Sequence, residues 1–180
     1  MIAFSREWAM PSKDTFTIPP IAALIKRHRC TGGLYWVDPF AGFHSPAIIT
    51  NDLNPEAPTR FHLDALDFLR TRDIAEFDGG FFDPVYSKRQ ASECYKQFGL
   101  AECASRVTRA DYWSSCKDEL ARIIKPGGLS ICFGWDSNGL GKGRGFELLE
   151  ILLVAHGGLH YDTIVTVERK VQTMLSEVTS

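Results

Sequence analysis

Four aspartates follow short apolar runs in the first half of the chain: Asp38, Asp52, Asp64 and Asp83. In a parallel α/β sheet, ligands bind outside the carboxyl ends of the strands, so an acid there can accept hydrogen bonds from a ligand. The position of Asp52 suits the two hydroxyls of a ribose, and that of Asp64 suits an adenine amino group. Taken singly, each acid would equally suit a helix cap or a turn. Their recurrence at consecutive strand ends favours a ligand site.

The elements that must position these acids alternate along the chain. The four apolar runs are predicted strands, at residues 34–37, 47–50, 60–63 and 79–82. Helices are predicted from Pro19, with Thr17 as a candidate N-cap, from Asp111 to about Lys125, and over 146–155. Further strands are predicted at 129–133 and 160–169, with a glycine-rich loop at 134–145. This alternation favours a doubly wound α/β sheet.

Two short motifs stand at strand ends. Residues 37–42 (VDPFAG) form a predicted strand-to-turn junction whose glycine would let the backbone approach a ligand, although a generic turn has the same pattern. Residues 81–87 (FFDPVYS) place an acid, a proline and an aromatic after a buried strand. Together these motifs resemble those of the DNA amino-methyltransferases, whose catalytic loop is (Asp/Asn/Ser)-Pro-Pro-(Tyr/Phe/Trp). The resemblance covers roughly residues 6–170, with its elements in the family's order.

This resemblance implies a Rossmann-like methyltransferase fold, with a mostly parallel sheet and an antiparallel C-terminal strand. It also implies S-adenosylmethionine as the cofactor. The segment 8–16 is similar to the one that closes over the methionine end of that cofactor in the family. The implied cofactor-binding residues are Thr15, Phe16, Asp38, Phe40, Gly42, Asp52, Asp64 and Ala65.

The implied reaction is methyl transfer to adenine N6 in DNA by direct displacement. Asp83 and the carbonyl of Pro84 would accept hydrogen bonds from the amine, and Tyr86 would stack on the flipped base. Two residues depart from the family pattern: Val85 replaces the second proline, and His44 stands where a second glycine is common. These departures keep open a catalytically weak subunit that binds the cofactor and needs a partner.

Candidate nucleic-acid contacts lie after the catalytic loop and in the glycine-rich loop. Lys88 and Arg89 are predicted phosphate contacts, Trp135 is a predicted stacking residue, and Lys142 and Arg144 are further predicted phosphate contacts. Solvated side chains and a flexible loop are the alternatives. The net charge of −2 and the pI of about 6.2 argue mildly against tight unaided duplex binding.

The 180 residues fit one catalytic domain, 1–180, without room for a separate target-recognition domain. Sequence choice would then come from loops, a homodimer or a separate specificity subunit, and RNA or another amine remains an alternative substrate. The five cysteines form no CxxC pair, and the histidines have no metal-ligand spacing, so no metal site is expected. No apolar run approaches the roughly 20 residues that span a bilayer, and we expect a cytoplasmic protein.

Overall fold

Seven strands form one sheet at the centre of the computed structural model, which describes residues 1–85, 88–98, 104–107, 111–158 and 160–171. The strands are β1 (Ala3–Trp8), β2 (Trp36–Asp38), β3 (Ile49–Thr50), β4 (Phe77–Phe82), β5 (Ile124–Gly134), β6 (Phe146–Ala155) and β7 (Thr163–Lys170). Their order across the sheet is β1-β6-β7-β5-β4-β2-β3. Only β7 runs antiparallel to its neighbours, β5 and β6, as the resemblance implied.

Helices cover both faces of this sheet. They are α1 (Pro19–Gly32), α2 (Ala65–Arg70), α3 (Lys88–Gln97), α4 (Ala104–Val107) and α5 (Tyr112–Ile123), with short 3-10 turns at Thr15–Thr17 and Lys142–Arg144. Side chains alternate between the faces of each strand. Trp36 and Phe81 therefore pack with α1 in one core, while the adjacent Val37 and Phe82 pack with α2 and α5 in the other. The predicted doubly wound α/β architecture is confirmed.

The chain changes direction across the sheet between β2 and β4. From β2 it passes to β3 at one side, and it then returns to place β4 against the other side of β2. Such a reversal opens a crevice at the carboxyl ends of the two strands, which is where ligands bind in open α/β sheets. Asp38 ends β2 and Asp83 follows β4, so both acids lie at this point.

The helix predicted over 146–155 is wrong, because these residues form β6. The sequence FELLEILLVA is apolar at almost every position, and such a run does not distinguish a helix from a buried strand by periodicity. Here β6 pairs with β1 on one side and β7 on the other, and Leu152 and Val154 are buried in the α1 core. Pairing with two neighbouring strands outweighs the helical preference of the Leu, Glu and Ala residues in the run.

Smaller differences concern the ends of elements. The strand predicted at 60–63 is reduced to one bridge between Asn51 and Phe61, and β1 was not predicted. Thr17 lies in the 3-10 turn, so Ile18 precedes α1 in its place as the N-cap residue. β5 begins at Ile124, ahead of the predicted 129–133. Within the described ranges, no helix is both long and apolar enough to cross a membrane.

Candidate functional site

Three of the predicted acids, Asp38, Asp52 and Asp83, lie at the reversal point of the sheet, where the charges of Asp52 and Asp83 act on Asp38. Asp38 is fully buried, and burial raises its pKa to about 7, with smaller contributions from the nearby charges of Asp83 and Asp52. Its oxygens accept hydrogen bonds from the Phe40 amide at 2.9 Å and the Ser45 hydroxyl at 2.6 Å. These bonds stabilise the turn after β2, so Asp38 has a structural role at the base of the crevice.

Asp52 connects the turn after β3 to the glycine of the VDPFAG motif. Its Oδ2 accepts from the Gly42 amide at 2.8 Å, and its Oδ1 accepts from the Asn54 amide at 2.8 Å. A carboxylate oxygen has two acceptor positions, so each oxygen retains one for a ligand hydroxyl. Gly42 has φ of +53°, and a Cβ at this position would meet no atom within 4 Å. The glycine therefore leaves open space beside a carboxylate whose orientation is fixed.

Asp64 has a different set of partners from the one that the sequence predicted. Its Oδ1 caps α2 by accepting from the amides of Leu66 and Asp67, at 3.0 and 3.2 Å. Its Oδ2 accepts from the hydroxyls of Tyr95 and Tyr112, at 2.5 and 3.1 Å. Four donors fill the acceptor positions of one carboxylate. A contact between Asp64 and an adenine amino group would therefore require one of these donors to leave.

A cavity of about 150 Å³, here called the central cavity, opens beside Asp52 and Asp83. Among the predicted cofactor residues, Phe40, Asp52 and Ala65 line it, and Asp83 does so from the catalytic loop. The other residues that line this cavity were not predicted to contact a ligand; they are Pro39, Leu53, Leu63, Val85, Cys94, Tyr95, Phe98, Tyr112 and Trp113. Leu53 and Leu63 were identifiable in principle, because each is next to a strand-end acid. The apolar walls and the carboxylates of Asp52 and Asp83 suit a flat, polar-edged group such as a nucleoside.

The loop of Asp83, Pro84 and Val85 forms a wall shared by several cavities. A second cavity, here called the tryptophan cavity, is lined by Pro84 and Val85 together with Trp113, Lys117 and Trp135. A third, here called the mouth cavity, contains all three loop residues and Thr15. The predicted catalytic loop therefore borders the central cavity, the tryptophan cavity and the mouth cavity. Tyr86 lies outside the described residues.

Two residues near the N-terminal segment occupy positions that the sequence did not define. Phe16 makes edge contacts with Phe81 and Phe133, with ring centroids 5.2 and 5.6 Å apart, so it packs against the core, and it lines a separate cavity beside α1 in place of the central cavity. The Nδ1 of His44 lies 3.2 Å from the carboxylate of Asp14. His44 lines the same cavity beside α1 and is not among the residues that line the central cavity.

The residues predicted to contact nucleic acid differ in their exposure and in whether they already form ion pairs. Arg89 is exposed but forms an ion pair with Glu93 at 2.8 Å. The guanidinium of Arg144 bonds to Asp118 at 2.6 Å and to Ser114, which holds the glycine-rich loop against α5. Trp135 is half exposed, and Lys142 is exposed on the 3-10 turn that precedes β6. The Lys88 side chain lies outside the described part of the structure.

The histidine, cysteine and acidic side chains of the described residues are the candidate metal ligands, and the cysteines are the candidate reactive groups. Among the residues that the structure describes, no group of three histidine, cysteine or acidic side chains could hold a metal ion. Three cysteines in this part of the chain, Cys94, Cys116 and Cys132, are free thiols. Burial raises the pKa of the Cys116 and Cys132 thiols to about 12, which keeps both protonated and unreactive.

No protein-family model matches the sequence, and no curated protein matches it. Solved structures, however, share its fold. The Burkholderia thailandensis 1,6-didemethyltoxoflavin-N1-methyltransferase, solved with its substrate and S-adenosylhomocysteine, has a TM-score of 0.58 and 14% identity over 84% of this chain and 77% of that one. The N-methyltransferase NodS of Bradyrhizobium japonicum, solved with S-adenosylhomocysteine, has a TM-score of 0.51 and 11% identity, covering 83% and 84%.

TrmN from Thermus thermophilus has a TM-score of 0.53 and 19% identity, covering 86% of this chain and 49% of TrmN. At these levels of identity the similarity concerns the fold. The chain has the Rossmann-like methyltransferase fold, as the sequence motifs implied.

Proposed function

We propose that this chain is an S-adenosylmethionine-dependent methyltransferase that methylates N6 of adenine in DNA. This proposal rests on the position of the Asp83-Pro84-Val85 loop. It lies in the wall between the central cavity, which suits a nucleoside, and the tryptophan cavity, which suits a planar group. A methyl donor and a planar acceptor in these two cavities would meet at this loop. The methyltransferase fold, and the S-adenosylhomocysteine bound in two solved structural relatives, support the cofactor and the type of reaction in this proposal.

The walls of the central cavity fit the adenosine part of the cofactor. Asp52 retains one acceptor position on each oxygen, and ribose presents two adjacent hydroxyls. Leu53, Leu63 and Phe40 offer apolar surface to a flat base. Because Asp64 already has four donors, we propose that shape and apolar contact select adenine there more than this carboxylate does.

The residues of the loop would activate the acceptor amine. An exocyclic amine on adenine is a weak nucleophile because its lone pair is delocalised into the ring. Hydrogen bonds from its two N–H groups to the Asp83 carboxylate and the Pro84 carbonyl would favour the pyramidal nitrogen, whose lone pair is available. S-adenosylmethionine would supply a methyl carbon that such an amine attacks directly: the nitrogen–carbon bond forms as the carbon–sulfur bond breaks, S-adenosylhomocysteine leaves, and the nitrogen loses one proton to solvent. No covalent bond to the enzyme is needed. The buried, protonated cysteines are consistent with this chemistry.

A different planar amine is the second candidate substrate. Trp113 and Trp135 both line the tryptophan cavity, and a small planar molecule could contact them as well as a base of a nucleic acid could. The Burkholderia relative was solved with a heterocyclic small molecule, 1,6-didemethyltoxoflavin. RNA adenine belongs to the same chemical class as the DNA target. These alternatives share the cofactor and the loop with the main proposal and differ only in what carries the amine.

The experiment measures transfer of labelled methyl from S-adenosylmethionine to unmethylated DNA, to RNA and to free adenine nucleosides, followed by digestion and nucleoside analysis. We expect N6-methyladenine from DNA. Label only in RNA or in the free nucleosides would replace the DNA assignment and retain the methyltransferase. Binding of S-adenosylmethionine without transfer to any acceptor would favour the partner-dependent subunit. In that case Val85→Pro, which restores the family's second proline, is expected to raise transfer.

A further inference from the structure

Two aromatic side chains contact each other at the carboxyl edge of β5. The ring centroids of Trp135 and Tyr161 are 5.0 Å apart, with the rings tilted by 42°. Trp135 directly follows β5, and Tyr161 lies two residues before β7. Because β5 and β7 are antiparallel and pair as far as Gly134 and Ile164, the register of the sheet brings these two residues together.

Both rings present apolar surface to water. Trp135 is 49% exposed and Tyr161 is 76% exposed. Exposed aromatic surface that adjoins a cavity is typical of a binding site. The face of an aromatic ring is also the surface on which an unpaired nucleic-acid base stacks, whatever its identity. We refer to Trp135 and Tyr161 as the aromatic pair.

The aromatic pair continues the tryptophan cavity outward. Trp135 lines this cavity together with Pro84 and Val85, whereas Tyr161 lies outside its lining. A small molecule held in the cavity would contact Trp135 and not Tyr161. A polymer with one base in the cavity would carry a neighbouring base across both rings. The exposure of Tyr161 therefore favours a polymeric ligand.

The charges around the site disfavour a duplex as that polymer. Duplex binding depends on cations that neutralise phosphates. Arg89 is paired with Glu93, Arg144 is paired with Asp118, and the whole chain has a net charge of −2. In a duplex, the faces of the bases are also covered by their neighbours. A single strand presents these faces, and its binding depends less steeply on the neutralisation of each phosphate than duplex binding does.

We propose that the aromatic pair binds the base next to the target in single-stranded nucleic acid. This inference rests on the proposed function and specifies the form of its substrate. Trp135 and Tyr161 hold the flanking base, and the target adenine enters the tryptophan cavity beside Pro84. Stacking tolerates any base, so the pair contributes affinity without sequence preference.

The test measures binding by fluorescence anisotropy, with S-adenosylhomocysteine present. The probes are a labelled thymine-rich oligonucleotide of about eight nucleotides with one adenine, within the site sizes usual for single-strand binders, and a duplex of the same sequence. Trp135→Ala and Tyr161→Ala are compared with the wild type. Phe4→Ala is the matched control, because it removes an exposed aromatic from β1. Trp135→Phe retains an aromatic face. Thermal stabilisation by S-adenosylmethionine, measured separately, checks the fold and the cofactor site of each variant.

We expect the wild type to bind the single strand more tightly than the duplex. Trp135→Ala and Tyr161→Ala should each weaken single-strand binding by about ten-fold, while Phe4→Ala and Trp135→Phe retain most of it. Equal affinity for the duplex, or single-strand affinity unchanged in both alanine variants, would overturn the inference. Cofactor binding with no nucleic-acid binding would overturn it and leave the methyltransferase intact. Absence of cofactor binding in the wild type would instead contradict the proposed function.

Discussion

The hydroxyl of Tyr95 donates a hydrogen bond of 2.5 Å to Oδ2 of Asp64, and this bond joins α3 to the N-terminus of α2. Tyr95 is buried, and its burial, with the hydrogen bond to Asp64, raises its pKa above the usual range. The hydroxyl therefore stays protonated as a donor. Since α3 begins five residues after Asp83, the same bond fixes the helix that follows the catalytic loop.

Removal of this donor should destabilise the fold. In Tyr95→Phe, Oδ2 of Asp64 loses this donor and, among the described residues, keeps the Tyr112 hydroxyl as its side-chain donor. Hydrogen bonds to charged groups contribute about 1.5–3 kcal/mol, so the free energy of unfolding should fall by roughly this amount. Denaturant unfolding measures the change. Tyr161→Phe removes an exposed hydroxyl and should have almost no effect; equal losses in the two variants would refute the role of Tyr95.

The carboxylate of Asp52 should control cofactor affinity. In Asp52→Asn, one acceptor oxygen becomes an amide nitrogen that cannot accept from the Gly42 or Asn54 amide or from a ribose hydroxyl. We expect the Kd for S-adenosylmethionine, measured by calorimetry, to rise by about ten- to hundred-fold. Asp73→Asn, at an exposed position away from the cavities, serves as the control. An unchanged Kd in Asp52→Asn would exclude the proposed ribose contact.

The buried Asp38 should make stability depend on pH. Its pKa is about 7 in the folded protein and 3.8 in the unfolded reference, so between these values the folded state holds a proton that the unfolded state has lost. Stability from this group is therefore complete below about pH 4 and is lost as the pH rises toward 7. Relative to Asp38→Asn, the wild type should lose at least about 1 kcal/mol of unfolding free energy between pH 5 and pH 7. Parallel curves for the two proteins would show that Asp38 does not titrate in this window.

Glu168 should stabilise the glycine-rich loop. This buried carboxylate on β7 accepts from the Leu140 and Gly141 amides, at 2.6 and 3.0 Å. Glutamine would place an amide nitrogen against one of these N–H groups. We expect Glu168→Gln to lower the free energy of unfolding by about 1–3 kcal/mol in denaturant titrations, with Glu56→Gln as an exposed control. No difference between the two variants would mean that the loop does not depend on Glu168.

Local patterns were enough to predict most of the sheet. Apolar runs that end near acids identified β2, β3 and β4, and the acids at the ends of these runs predicted a ligand site at the carboxyl edge of the sheet. The helix prediction for 146–155 was wrong because a strand that is paired on both sides can be apolar at nearly every position, as can a buried helix. β1 has no such run, since AFSREW is mostly exposed and gains its structure by pairing with β6.

Long-range partners explain what the sequence could not predict at the site. Asp64 is 31 residues from Tyr95 and 48 from Tyr112, and nothing local to Asp64 indicates that two hydroxyls fill its oxygens. Glu168 gave a weak local signal, as an acid within the apolar strand TIVTVERK, but its loop partners lie 27 and 28 residues away. Acids at strand ends could thus be found from the sequence, whereas the donors already bonded to them required the fold.

The role of the Asp83-Pro84-Val85 loop in methyl transfer is tested most directly with Asp83→Ala under single-turnover conditions. The assay follows labelled methyl from S-adenosylmethionine into adenine, with Asp73→Ala as the control and cofactor affinity measured in parallel. We expect Asp83→Ala to lower the transfer rate by at least about a hundred-fold, the usual scale for removing a group that stabilises the transition state, while the cofactor still binds. Transfer at the wild-type rate in Asp83→Ala would contradict the assignment of the loop.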